Sequence, residues 1–218
     1  MFFGDGSQAA KDAVQAVVPR SLENFNWTFI FILAVVFYVY WTEFKAKNWR
    51  GIIAGISLYS VHWFYEIMNA IIGHATGYPL WTVSNASSSF VLLVGVSWEL
   101  SMMFSIAGII GSKMMPADPN KRLFVTDKFK GVSFKLINAI GMAALFSVIE
   151  IFLAATPAFI WVYKWWGCIP VFITTYIPFF LAANYVPDLK PKHQAIFLGT
   201  LSGINILLLA ILIPLGII

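Results

Sequence analysis

Charge is what this chain lacks most. Its 14 Lys and Arg and 10 Asp and Glu make up 11% of 218 residues, where a soluble domain carries about 25%. Cysteine is nearly absent. Cys168 stands alone, which excludes an intrachain disulfide framework, zinc ribbons, iron–sulfur ligation and CxxC redox chemistry. The three histidines, His62, His74 and His193, are too few for histidine-box hydroxylases. Neither G-x-S-x-G nor the E-x-x-H pair of di-iron bundles occurs, so no nucleophilic triad, metal or other cofactor is expected. The opening MFFGDGSQAAKDAV has no basic n-region and no apolar core of a signal peptide, and is expected to be a mature or simply uncleaved start.

What is present is apolar surface. Hydrophobic residues make up 60% of the chain, more than one soluble core of this length can bury. The excess must face something other than water. That excludes a soluble enzyme and a disordered chain, and it makes a lipid bilayer the first partner. The expected fold class is all-α, a polytopic transmembrane helical bundle forming one integral membrane domain over 1–218.

Six runs are long enough for a hydrocarbon core that needs about 20 helical residues. They are Trp27–Phe44, Gly51–Gly73, Ser88–Ile110, Val132–Ala154, Gly167–Val186 and Gln194–Ile217. Pro170 and Pro178 predict a kink in the fifth. Residues 7–18 place Ala10, Val14, Val17 and Val18 on one face, the pattern of a short interfacial helix. Residues 111–131 form the one sizeable polar loop.

The loops alternate in charge. Lys45, Lys47, Arg50, Lys113, Lys121, Arg122, Lys128, Lys130, Lys190 and Lys192 fall on one side, against Lys11, Arg20 and Lys164 on the other. The positive-inside rule makes the basic loops cytoplasmic and both termini external. The net charge of +4 is thereby a topology signal, and no nucleic-acid partner is expected.

Intramembrane carboxylates are costly and point to function. Glu66 is expected in span two, Glu99 at the midpoint of span three, and Glu150 in the outer half of span four. Gly55, Tyr59, His62, Glu66, Asn69 and Gly73 follow one helical stripe, as do Lys135, Asn138, Met142, Phe146 and Glu150. Ser97, Ser101 and Ser105 make a small-residue packing ridge. Thr174, Thr175 and Tyr176 in span five and Asn205 in span six fall at similar depth. Trp161, Tyr163, Trp165 and Trp166 read as an interfacial belt.

A His and a Glu one turn apart can share a proton, and a further carboxylate completes a general acid–base set. His62, Glu66 and Glu99 are therefore the expected catalytic trio. Tyr59, Asn69, Asn138, Glu150, Thr174, Thr175 and Asn205 are the expected binding residues. The same trio suits an ion site in a proton- or cation-coupled carrier or channel. A non-catalytic subunit of a larger membrane complex, with oligomeric or partner contacts, is the third reading.

Trp49-Arg50, the helix carrying His62-Trp-Phe-Tyr-Glu66, and the following helix carrying Glu99 together resemble the emopamil-binding (EXPERA) family of sterol isomerases and sterol-binding membrane proteins. The resemblance covers spans two and three. It implies that His62, Glu66 and Glu99 shift a double bond in an apolar lipid by protonation and deprotonation. The chain departs from that family in having six expected spans rather than five. Glu150 has no counterpart there, and Asn184 is not followed by a Trp.

Overall fold

Polar side chains cap the first helices of the chain, while the two most apolar ones, Phe134–Leu153 and Pro191–Leu212, begin without a side-chain cap. The computed structural model describes residues 2–118 and 120–218, so residue 119 of the expected polar loop lies outside the described residues. Helix α1 (Gln8–Gln15) starts where Ser7 accepts from the Ala10 N–H. Helix α2 (Trp27–Lys45) is capped by Asn26, and α3 (Trp49–Thr76) by Asn48. Gly77 closes α3 in the left-handed conformation, φ 87°, where a residue without a Cβ is favoured.

Span three differs from expectation. Residues Val91–Leu93 (β2) and Val96–Ser97 (β3) form an antiparallel hairpin, and helix α4 begins only at Trp98, running to Lys113. The apolar run Val91–Val94 is turned back at Gly95, and Ser97 caps α4 by accepting from Leu100 N–H. At 16 residues α4 is about 24 Å long, at about 1.5 Å per residue. A second short ribbon pairs β1 (Trp81–Val83) with β6 (Phe159–Trp161), with Trp81 opposite Trp161. A third, β4 (Arg122–Leu123) with β5 (Val132–Ser133), orders the polar loop.

Helix α5 (Phe134–Leu153) follows, and then α6 (Cys168–Val171), a π-helical turn (Phe172–Tyr176) and α7 (Ile177–Tyr185) run on as one rod. Helix α8 (Pro191–Leu212) completes the chain. Among the described residues, four helical segments are long and apolar enough to cross a membrane: Trp27–Lys45, Phe134–Leu153, Cys168–Asp188 and Pro191–Leu212. Helix α3 has ample length, but Arg50, His62, Glu66, Asn69 and His74 lower its hydropathy.

Helix α3 is the hub, packing on α4, α7 and α8. Its contact with α4 is intimate, because a Cβ on Gly108 would meet the Ala54 backbone and one on Gly55 would meet Ser105 and Ile109. Ser101 accepts or donates to Tyr59 at 3.0 Å, and Tyr40 donates to the Ser105 carbonyl at 2.7 Å. The ridge on α4 is thus Ser101, Ser105 and Gly108; Ser97 belongs to the cap. Helices α2 and α8 bury little and present apolar side chains outward.

Candidate functional site

His62 and Glu66 lie on successive turns of α3, as their spacing requires, with Nδ1 and Oε1 3.7 Å apart. Both side chains are buried. The His62 ring stacks on Phe104 of α4 at a centroid distance of 4.3 Å. Glu150, buried on α5, faces the same space, and Val171, Thr175, Tyr176 and Phe179 enclose it from the α6–α7 rod. The result is a cavity of about 30 Å³ with three acid–base side chains and otherwise mainly apolar walls. That volume is enough for a water molecule. Among the described residues no Lys or Arg lines it.

The β1–β6 ribbon lies across the acid pair. Trp81 donates its indole N–H to Glu66 Oε2 at 3.2 Å, and its cross-strand partner Trp161 donates to Glu150 Oε1 at 2.6 Å. Tyr176 donates to the other Glu150 oxygen. Asn69, one turn beyond Glu66, seats the ribbon by accepting from Leu80 N–H at 2.8 Å and donating to the Trp81 carbonyl at 2.9 Å. Each carboxyl group is therefore oriented by rigid aromatic donors rather than by cations. Two polar atoms in the cavity wall, His62 Nε2 and Thr175 Oγ1, have no protein partner. Buried polar groups left open in this way point to an occupant.

The cavity wall at the seam between α4 and α5 is apolar. Leu100 and Met103 from α4 and Ile149 and Leu153 from α5 line the cavity and are only half-buried.

Several expected site residues lie elsewhere. Glu99 is in the first turn of α4 and not at mid-span, because the preceding apolar residues form the hairpin. It accepts from the Ser88 hydroxyl at 2.8 Å and the Ser89 N–H at 2.5 Å, and does not line the cavity of His62 and Glu66. Thr174 is exposed and returns its hydroxyl to the Pro170 carbonyl. Asn205 ties α8 to α3 through the Ser60 carbonyl. Asn138 meets Asn184 beside the buried Lys135, whose ammonium pairs with Asp188 at 2.5 Å. Tyr59 contacts Ser101.

Trp81 and Gly95 carried no site signal beyond the aromatic flank of an apolar stretch. Trp161 and Trp166, read as belt residues, are buried, whereas Trp165 is exposed. Among the described residues, no group of three or more His, Cys, Asp or Glu is placed to hold a metal ion.

Comparison with known proteins adds a family. An uncharacterized protein of Archaeoglobus fulgidus is 34% identical over 208 residues, covering 93% of this chain and 95% of its own. No solved structure matches. The model of an uncharacterized membrane protein family matches residues 7–214, a stretch that takes in the apolar helices and every residue of the cavity. The chain belongs to that uncharacterized membrane protein family.

Proposed function

We propose that this membrane protein carries out acid–base chemistry on an apolar lipid of the sterol or isoprenoid class, with His62, Glu66 and Glu150 as the reacting set. The observation that carries the reading is their convergence, from two helices, on one aromatic-walled cavity without a compensating cation. Two carboxyl groups in such a place need a proton to offset their charge. A carboxyl group that holds a proton is an acid aimed at apolar space, and its neighbour is a base.

In the proposed step one carboxyl group gives its proton to one carbon of a double bond. The positive charge falls on the other alkene carbon, the second carboxyl group takes a proton from the next carbon beyond it, and that C–H electron pair becomes the relocated double bond. Transfer of a proton within the Glu66–His62–Glu150 set restores the site. The resemblance to emopamil-binding proteins supports the same roles for His62 and Glu66, with Glu150 in the part expected of Glu99. The substrate reaches the cavity through the α4–α5 seam, which must part, since about 30 Å³ holds no lipid. The basic loops belong on the cytoplasmic side of a six-span bundle.

Deuterium uptake from solvent into the lipid product tests this. Glu66→Gln and Glu150→Gln should each abolish uptake while lipid binding persists; turnover surviving both substitutions would sink the reading. The water-sized cavity favours a second reading, a proton-coupled carrier using the same groups. It requires Glu66→Gln to stop proton-coupled uptake into vesicles and to leave lipid chemistry untouched.

A further inference from the structure

A second pocket abuts the first. It has a volume of about 130 Å³ and lies between the 84–88 stretch and the start of α4, with Ser84, Ser87, Ser88, Ser97 and Glu99 among its lining. Leu100, Leu153 and Phe159 line both spaces, so three apolar side chains are the common wall between a pocket edged by serines and Glu99 and the buried acid cavity. Leu100 and Leu153 also belong to the α4–α5 seam. A single elongated ligand lying along that seam would have its polar end among the serines and its apolar body against the acid cavity.

The chemistry of this pocket selects the polar end. Glu99 is held by the Ser88 hydroxyl and the Ser89 N–H, and its position in the first turn of α4 suits a negative charge. Its oxygens have further lone pairs to offer, since a carboxylate has about four acceptor sites. The serine hydroxyls can accept as well as donate. No Lys or Arg lines the pocket among the described residues. A hydroxyl or ammonium group finds acceptors here, whereas a phosphate meets a carboxylate and no cation.

We infer that the Ser84–Ser87–Ser88–Ser97–Glu99 pocket is a head-group subsite for a lipid whose polar end is a hydrogen-bond donor, hydroxyl or amine, and that it rejects anionic heads. This rests on the lipid reading above and adds to it the class of head group.

Hexadecanol, hexadecylamine and hexadecyl phosphate share one tail and differ only at the head. Their binding to the full chain in nanodiscs, followed by native mass spectrometry, separates the possibilities. The alcohol or the amine should bind at least about tenfold more tightly than the phosphate; which of the two leads identifies the head. Glu99→Gln should reduce amine binding most. Ser87→Leu, at an exposed position, should fill the pocket and weaken both donors without disturbing the Glu99 bonds. Equal binding of all three compounds, unaffected by Ser87→Leu, overturns the head-group subsite and leaves the acid–base reading standing. Failure of all three compounds to bind likewise overturns the subsite, while deuterium uptake that survives both Glu66→Gln and Glu150→Gln overturns the acid–base reading whatever the head-group result.

Discussion

Gly95 shows how narrowly the acid pair is held. A Cβ there would stand 2.6 Å from Trp81 Nε1 and 2.7 Å from Glu66 Oε2, and would also strike Asn69 Nδ2. The hairpin turn is thus pressed against Glu66, its indole donor Trp81 and the ribbon-seating Asn69, and only hydrogen fits between them. Gly95→Ala should cost about 1–3 kcal/mol, the usual range for overpacking, as a lowered unfolding midpoint in detergent. The same substitution in a Trp81→Phe background should cost less, because the clash with the indole nitrogen is gone. Equal costs in both backgrounds would disconnect Gly95 from the Trp81–Glu66 contact. Trp161→Phe tests the other carboxyl group. It keeps most of the ring and removes the donor to Glu150, so about 1–3 kcal/mol should be lost from one buried oxygen left unpaired. His62 and Glu66 were legible in the sequence because four residues along a helix return to one face. Their aromatic partners were not, since the Trp81–Trp161 pairing joins residues 80 positions apart through a ribbon only three residues long on each strand.

The π-helical turn at Phe172–Tyr176 is the element that brings Tyr176 to Glu150. Pro178 has no N–H to offer the carbonyl of Thr174, four residues back, so the regular ladder fails there. The wider turn takes up one extra residue, a device found frequently at functional sites. Thr175 and Tyr176 point inward, while Ile173 and Thr174 are exposed. Deleting Ile173 should remove the extra residue of the wide turn and swing Tyr176 off Glu150 with helical content by circular dichroism nearly unchanged. Tyr176→Phe should then cost about 1–2 kcal/mol in the full chain and close to nothing in the deletion. Equal costs would show that the turn does not place the phenol. Prolines at 170 and 178 made a distortion of this helix readable, but not its kind. Residues 88–97 were misread for a different reason. Phe90–Val94 is as apolar as a helix interior, and a buried short strand cannot be told from a helix segment by hydropathy alone. The displacement of Glu99 from mid-span follows from that one ambiguity.

At the scale of the molecule, the basic loops share one end with the Glu43–Lys113 pair and the Asp188 carboxylate that joins Arg50 to Lys135. The β1–β6 ribbon, the β2–β3 hairpin, the indoles and the serine pocket occupy the other end. Whether α4 crosses the bilayer decides the six-span arrangement, because its 16 residues reach about 24 Å and the hydrocarbon is about 30 Å thick. The β1–β6 ribbon and the hairpin account for the difference. Non-helical backbone is tolerated at membrane depth when it is enclosed by protein and its polar groups are paired. Trp81, Val83, Val91, Leu93, Val96, Phe159 and Trp161 are all buried, and their strands are hydrogen-bonded in register. In a Cys168→Ser background, Ser87→Cys and Asp127→Cys place single thiols before and after α4. A membrane-impermeant maleimide should label position 87 from the outside and position 127 only from the cytoplasmic face. Labelling of both from one side would mean that α4 and the hairpin dip into the bilayer and return. The charge asymmetry of the loops would then report only part of the topology, and the seam between α4 and α5 would have to open at the interface rather than within the hydrocarbon.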